Sequence, residues 1–161
     1  MSTPASVLCE LAREVRKKTL QILDATRPRE LIWAPPGTSN HILWHAGHAL
    51  WLQDVLCLQQ LGGVNGLPDG WEEMFGMNSR PALQKRSWPG KGELRRQLQA
   101  QLPRLLDAIG AVREADLGLP PSASRGDTRT LGQCILHGLH DEANHQGEMY
   151  LLLKMQRLGP A

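Results

Sequence analysis

The sequence predicts an all-α protein: a four-helix bundle forming one domain over residues 1–161. Three observations carry that prediction. Four long segments, near residues 5–27, 40–61, 92–114 and 130–158, repeat their apolar residues at helical spacing. No segment shows the alternation of a half-buried strand. Aromatic residues are few, one Phe, one Tyr and five Trp, whereas sandwiches and barrels draw on aromatic and β-branched runs. The length suffices for a core of its own, and no internal repeat divides it.

In the first segment Leu8, Leu11, Val15, Leu20 and Leu23 mark an apolar face. Pro28 ends it, because proline disfavours helix at the residue before it. A loop with Trp33, Pro35, Pro36 and Gly37 follows. The second helix is expected to start at Ser39 or Asn40, whose side chains can cap free amides, and to stop at Gly62-Gly63. Residues 62–90 form a connection rich in Gly, Pro and Trp, long enough to imply a packing or functional role. In the third segment Leu94, Leu98, Leu102, Leu105 and Ile109 share a face, and Pro103 predicts a kink. The stretch LGLPPSASRGDTRT reads as a loop before the fourth helix, which spans Thr130 to Leu158.

Charge is nearly balanced, with 18 basic and 16 acidic residues, which argues against a nucleic-acid partner. No run reaches membrane-spanning length, and the N-terminus lacks the apolar stretch of a signal peptide. Three cysteines, odd in number and without CxxC spacing, read as free thiols of a reducing compartment. A cytoplasmic protein is expected. The RGD at 125–127 reads as chance, and the basic run from Arg80 to Arg96 as solvated surface able to receive an anionic substrate.

The chemistry concentrates in LHGLHDEANHQGEMYLLLK. At about 100° per residue, one stripe of this helix carries Cys134, His137, Asp141, His145, Glu148, Leu152 and Met155. His140 and Glu142 fall on opposite flanks, and Cys134 reads as a core thiol. Buried charge is costly unless paired or bound to a metal. The second helix, SNHILWHAGHALWLQDVL, centres His48 in an apolar stripe between Trp44 and Trp51. Residues four apart on a helix reach one ion together. Asp141 and His145 with His48 would make a two-histidine, one-carboxylate site with open positions, suited to Zn, Ni, Fe or Mn. His137 and His140 are rival ligands. Glu148, one turn beyond His145, could orient a ligand or move a proton. Two plainer readings stand beside this: a hydrogen-bonded core histidine at His48, and an intrahelical ion pair between Asp141 and His145.

WHAGHALW, followed about ninety residues later by HDEANHQGEMYLLL, resembles the DinB-like superfamily, also called damage-inducible or YfiT-like metalloproteins. GWEEMFG and SWPGKGEL extend the resemblance over nearly the whole chain. It implies a four-helix bundle binding a divalent metal through three histidines, one in the second helix and two, four residues apart, in the last. His48 matches the first and His145, ahead of Gln146, Gly147 and Glu148, the last; Asp141 stands where the family usually has histidine. The resemblance thus implies a mixed ligand set of His48, Asp141 and His145, with Trp44 and Trp51 walling a pocket and Glu148 or His45 as an outer base. Relatives of this kind are thiol-dependent: mycothiol-dependent maleylpyruvate isomerases, transferases of bacillithiol and other low-molecular-weight thiols, and the helical domain of ergothioneine-forming sulfoxide synthases. The expectation is an S-transferase in which the metal activates a thiol, acting on a small-molecule substrate, with stress response as its context and a homodimer as its assembly. Two alternatives are a metal-dependent hydrolase using activated water and a non-catalytic bundle that binds a metal or ligand.

Overall fold

A computed structural model describes residues 3–79, 81, 87–121 and 128–159, and every regular element among them is helical. Helix α1 runs Pro4–Ala25. The Thr3 hydroxyl accepts from the Ser6 amide, and Pro4 occupies a first-turn position where a missing N–H costs nothing. A 3₁₀ turn, Pro28–Glu30, follows. Helix α2 covers Ile42–Gln53 and continues as a π turn, Asp54–Leu58. Its cap is neither Ser39 nor Asn40: the His41 ring Nδ1 accepts the Trp44 amide at 3.1 Å. The predicted stop holds, with Gly62 at φ 85° and the Gly63 amide closing on the Leu58 carbonyl at 2.8 Å.

Inside the long connection a short helix, α3, forms over Trp71–Phe75. Its Trp71 and Phe75 side chains are buried against the main core, so the connection serves packing. Helix α4, Lys91–Gly110, ends four residues before the predicted limit, because the chain turns there into a 3₁₀ segment, Glu114–Asp116. Helix α5, Leu131–Leu158, opens with a capping box in which Thr130 and Gln133 bond each other's backbone. The RGD and Arg80 with residues 82–86 of the basic run lie outside the described residues.

Helix α2 packs against α5, and α1 against both α4 and α5. Two apolar clusters fill the bundle. The larger joins Leu43, Trp44, Leu50, Phe75, Leu94, Leu98, Met149 and Leu153; the smaller joins Ala12, Cys57, Leu105, Ile109, Ile135 and Leu139.

The face α5 turns inward differs from the stripe drawn on the sequence. It carries Ile135, Leu139, Glu142, Met149 and Leu153, centred about 115° around the helix from Asp141. Glu142, expected on a flank, is 1 % exposed. The reason is a partner invisible to a single-helix projection. Arg16 of α1, itself fully buried, donates to both Glu142 oxygens at 2.8 and 3.1 Å. Thr19 and Gln53 complete the shell at 2.7 and 3.0 Å. Four donors satisfy the buried carboxylate, so this face of α5 can turn inward without leaving an unpaired charge. Asp141 and His145 consequently sit at the edge of the buried face, with side chains 28 % and 18 % exposed.

Candidate metal centre

The seam between α2 and α5 gathers the ionisable groups. His45 Nδ1 lies 2.9 Å from His145 Nδ1 and 2.9 Å from a Glu148 oxygen. His145 Nδ1 reaches the same carboxylate at 3.3 Å. One donor atom from each of these three residues lies within 4.8 Å of the others, close enough for a single metal ion. Helix geometry brings this about. His145 and Glu148 are three residues apart on α5, and the tight α2–α5 contact slides His45 over them.

His48 sits one turn further along α2. Its imidazole lies between two indoles, stacked on Trp44 at 4.5 Å and on Trp51 at 5.2 Å between ring centroids. Its Nδ1 donates to the Phe75 carbonyl at 2.5 Å, which fixes the tautomer and leaves Nε2 as the lone-pair nitrogen. The His145 ring stands edge-on to it, with centroids 4.8 Å apart. Trp44 is itself held, its indole N–H donating to Ser79 Oγ at 2.8 Å and that hydroxyl to the Gly76 carbonyl at 2.7 Å.

Asp141 turns the other way. One oxygen meets His137 Nε2 at 2.8 Å, and the other lies 3.7 Å from His140 Nδ1. The residues expected as one ligand set therefore divide. His48 and His145 face each other on the seam, while Asp141 pairs with His137, and lies near His140, on the outer surface of α5. His45 and Glu148, read from sequence as outer partners, hold the converging atoms. The signal in the sequence for His45 is its place one turn after His41, the cap of α2, in a helix whose apolar residues are not confined to one face.

Burial governs the protonation of this cluster. It lowers His45 to about 3 and His48 to about 4, with neighbouring imidazoles adding to the effect on His45. The same cause lowers His145, against the pull of Asp141 and Glu142. Burial also raises Glu148. The imidazoles are thus neutral at physiological pH, the state in which nitrogen offers a lone pair to a metal. Two neutral nitrogens and one carboxylate are a donor set that zinc and the other borderline divalent ions accept.

The cluster opens onto a cavity of about 480 Å³. His45 and Glu148 form one wall, Leu151, Leu152 and Met155 an apolar one, and Thr38, Ser39 and Asn40 a polar rim.

A helical bundle carrying neutral imidazoles and a carboxylate beside an open cavity has the makings of a metal-binding protein. The chain belongs to the DinB superfamily, whose family model matches residues 11–149. A crystal structure of a conserved protein from Enterococcus faecalis shares the fold: TM-score 0.69, 14 % identity, and coverage of 94 % of this chain and 96 % of that one. No curated protein matches the sequence.

Proposed function

We propose that the protein is a divalent-metal-dependent enzyme that activates a small thiol for transfer to an electrophile. The observation that carries this reading is the convergence of His45, His145 and Glu148, two of which, His45 and Glu148, line the 480 Å³ cavity. A divalent ion held there would lower the pKa of a bound thiol, so that the nucleophilic thiolate forms at neutral pH. His45 and His145 supply neutral nitrogens, and Glu148 supplies the charge that offsets the ion. Leu151, Leu152 and Met155 take the apolar part of a substrate and exclude water from it. Thr38, Ser39 and Asn40 orient its polar part.

One observation favours a second seat on the same seam. A ligating histidine usually donates its other ring N–H to a carbonyl or carboxylate. His48 does this to Phe75, and His145 Nδ1 faces Glu148. In that seat the Nε2 atoms of His48 and His145 would hold the ion, Asp141 would join them only by leaving His137, and His45 and Glu148 would orient His145.

Elemental mass spectrometry of the tag-free protein after dialysis tests both. About one equivalent is expected in the parent and none in His145→Ala. Loss in His45→Ala and Glu148→Ala with retention in Asp141→Ala assigns the first seat; loss in His48→Ala and Asp141→Ala with retention in Glu148→Ala assigns the second. The loaded protein is then assayed with thiols and electrophiles. Turnover of esters or amides without thiol would replace transfer by hydrolysis. A parent that takes up no Zn, Ni or Mn would overturn the enzyme reading.

A further inference from the structure

We infer that the cavity beside His45 and Glu148 takes an uncharged ligand with an apolar body, and that Leu151 and Met155 set this preference. In the metal–thiol reading, on which this further step rests, that ligand is the electrophile. Glu148, Leu151, Leu152 and Met155 follow one another at helical spacing along one stripe of α5, which spans about 10 Å of helix axis. The stripe starts at the carboxylate that meets His45 and His145 and continues as apolar surface. Leu151 and Met155 are 57 % and 41 % exposed. Single exposed apolar side chains are ordinary, but these two stand one turn apart on a cavity wall, where a ligand would take both out of water.

Charge points the same way. Among the described residues that line the cavity there is no Lys or Arg, and Glu148 is the one carboxylate. The cations in the last turns of α5 are engaged elsewhere. Lys154 lies over the Tyr150 ring at 4.9 Å, and Arg157 donates to Glu30 and to the Ala25 carbonyl. The facing loop, PPGTSN at 35–40, holds no cation in its sequence. An anionic ligand would leave water here without a partner and meet Glu148 instead. A divalent ion beside Glu148 would not change this, because that carboxylate and the thiolate balance its charge and leave none for an anionic second substrate. Thr38, Ser39 and Asn40 offer hydroxyl and amide groups, which suit the uncharged polar atoms of a ligand.

Two fluorescent probes that differ by one charge test this on the full chain: phenylnaphthylamine, which is uncharged, and anilinonaphthalene sulfonate, the same ring system with a sulfonate added. In chelator, the parent should bind the uncharged probe about tenfold more tightly than the sulfonate. Leu151→Ser/Met155→Ser should weaken binding of the uncharged probe about tenfold, through the apolar contact it removes. Met155→Lys should close or reverse the gap by giving the sulfonate a cation. Both positions are exposed, so each variant should keep the parent's circular dichroism. Equal affinity of the parent for the two probes, or binding of the uncharged probe that Leu151→Ser/Met155→Ser leaves unchanged, would overturn the inference. The titrations need no metal, so their failure is separable from that of the metal–thiol reading. A parent that shows the preference but takes up no zinc keeps the ligand class of the cavity and loses that reading; one that takes up zinc and shows no preference does the reverse.

Discussion

Glu142 carries a dense buried polar network. Arg16, Thr19 and Gln53 all donate to it, and Arg16 Nη2 also donates to Gln101 Oε1 at 2.9 Å, so α1, α2, α4 and α5 meet around the Arg16–Glu142 pair. Removing one member of a buried ion pair leaves the other uncompensated. Glu142→Ala should lose about 3–5 kcal/mol in urea unfolding. Arg16→Met with Glu142→Leu should recover most of that, since well-packed apolar replacements of a buried pair are often neutral. A double variant as unstable as the single one would show that Gln53, Gln101 and Thr19 need the charge more than the core does. His48 shows the complementary case. Its tautomer is set by a carbonyl from α3, a short helix that single-residue reasoning places in a loop.

Helix–helix contacts depend on single glycines. Gly138 of α5 faces the π turn of α2, and a Cβ there would lie 2.8 Å from Cys57 Sγ and 3.1 Å from Gln53 Oε1. Gly138→Ala should therefore destabilise the fold by about 1–3 kcal/mol, the range of overpacked cores. The loss should shrink in a Cys57→Ala background, which a double-mutant cycle by thermal melting would read as coupling. The ends of α1 and α5 are tied by a different device. Arg157 donates to Glu30 at 3.1 and 3.2 Å and, with the Arg27 amide, holds the Glu30 carboxyl down to about 2. A carboxyl whose folded pKa is depressed contributes stability that is fully present above its unfolded value, about 4.3, and is lost as pH falls from there through the folded value. The gap in melting temperature between parent and Glu30→Gln should thus be widest above pH 5 and close toward pH 2. A gap that stays constant would assign the effect to packing.

A metal that binds only the folded molecule raises its stability by mass action, about 2.7 kcal/mol at a hundredfold excess over Kd. Zinc should accordingly raise the parent's melting temperature by several degrees, a chelator should reverse it, and His145→Ala should lose most of the rise. How much of this was legible beforehand differs by level. The four long helices and the stop at Gly62-Gly63 follow from apolar spacing and turn chemistry, which act within a few residues. The interest of His48, His145 and Glu148 followed from polar groups set in apolar surroundings, which composition along one helix displays. The rotation of α5 did not follow, because Arg16 is 126 residues from Glu142 and only packing introduces them. The outward turn of Asp141 toward His137, and the descent of His45 onto Glu148, are consequences of that rotation. By itself the sequence determined a DinB-type bundle with a polar seam between its second and last long helices, since helix formation is local. Tertiary structure alone decided which of the seam's histidines and carboxylates meet, since partner choice depends on how two helices turn about their own axes, and that angle is set by residues remote in the chain.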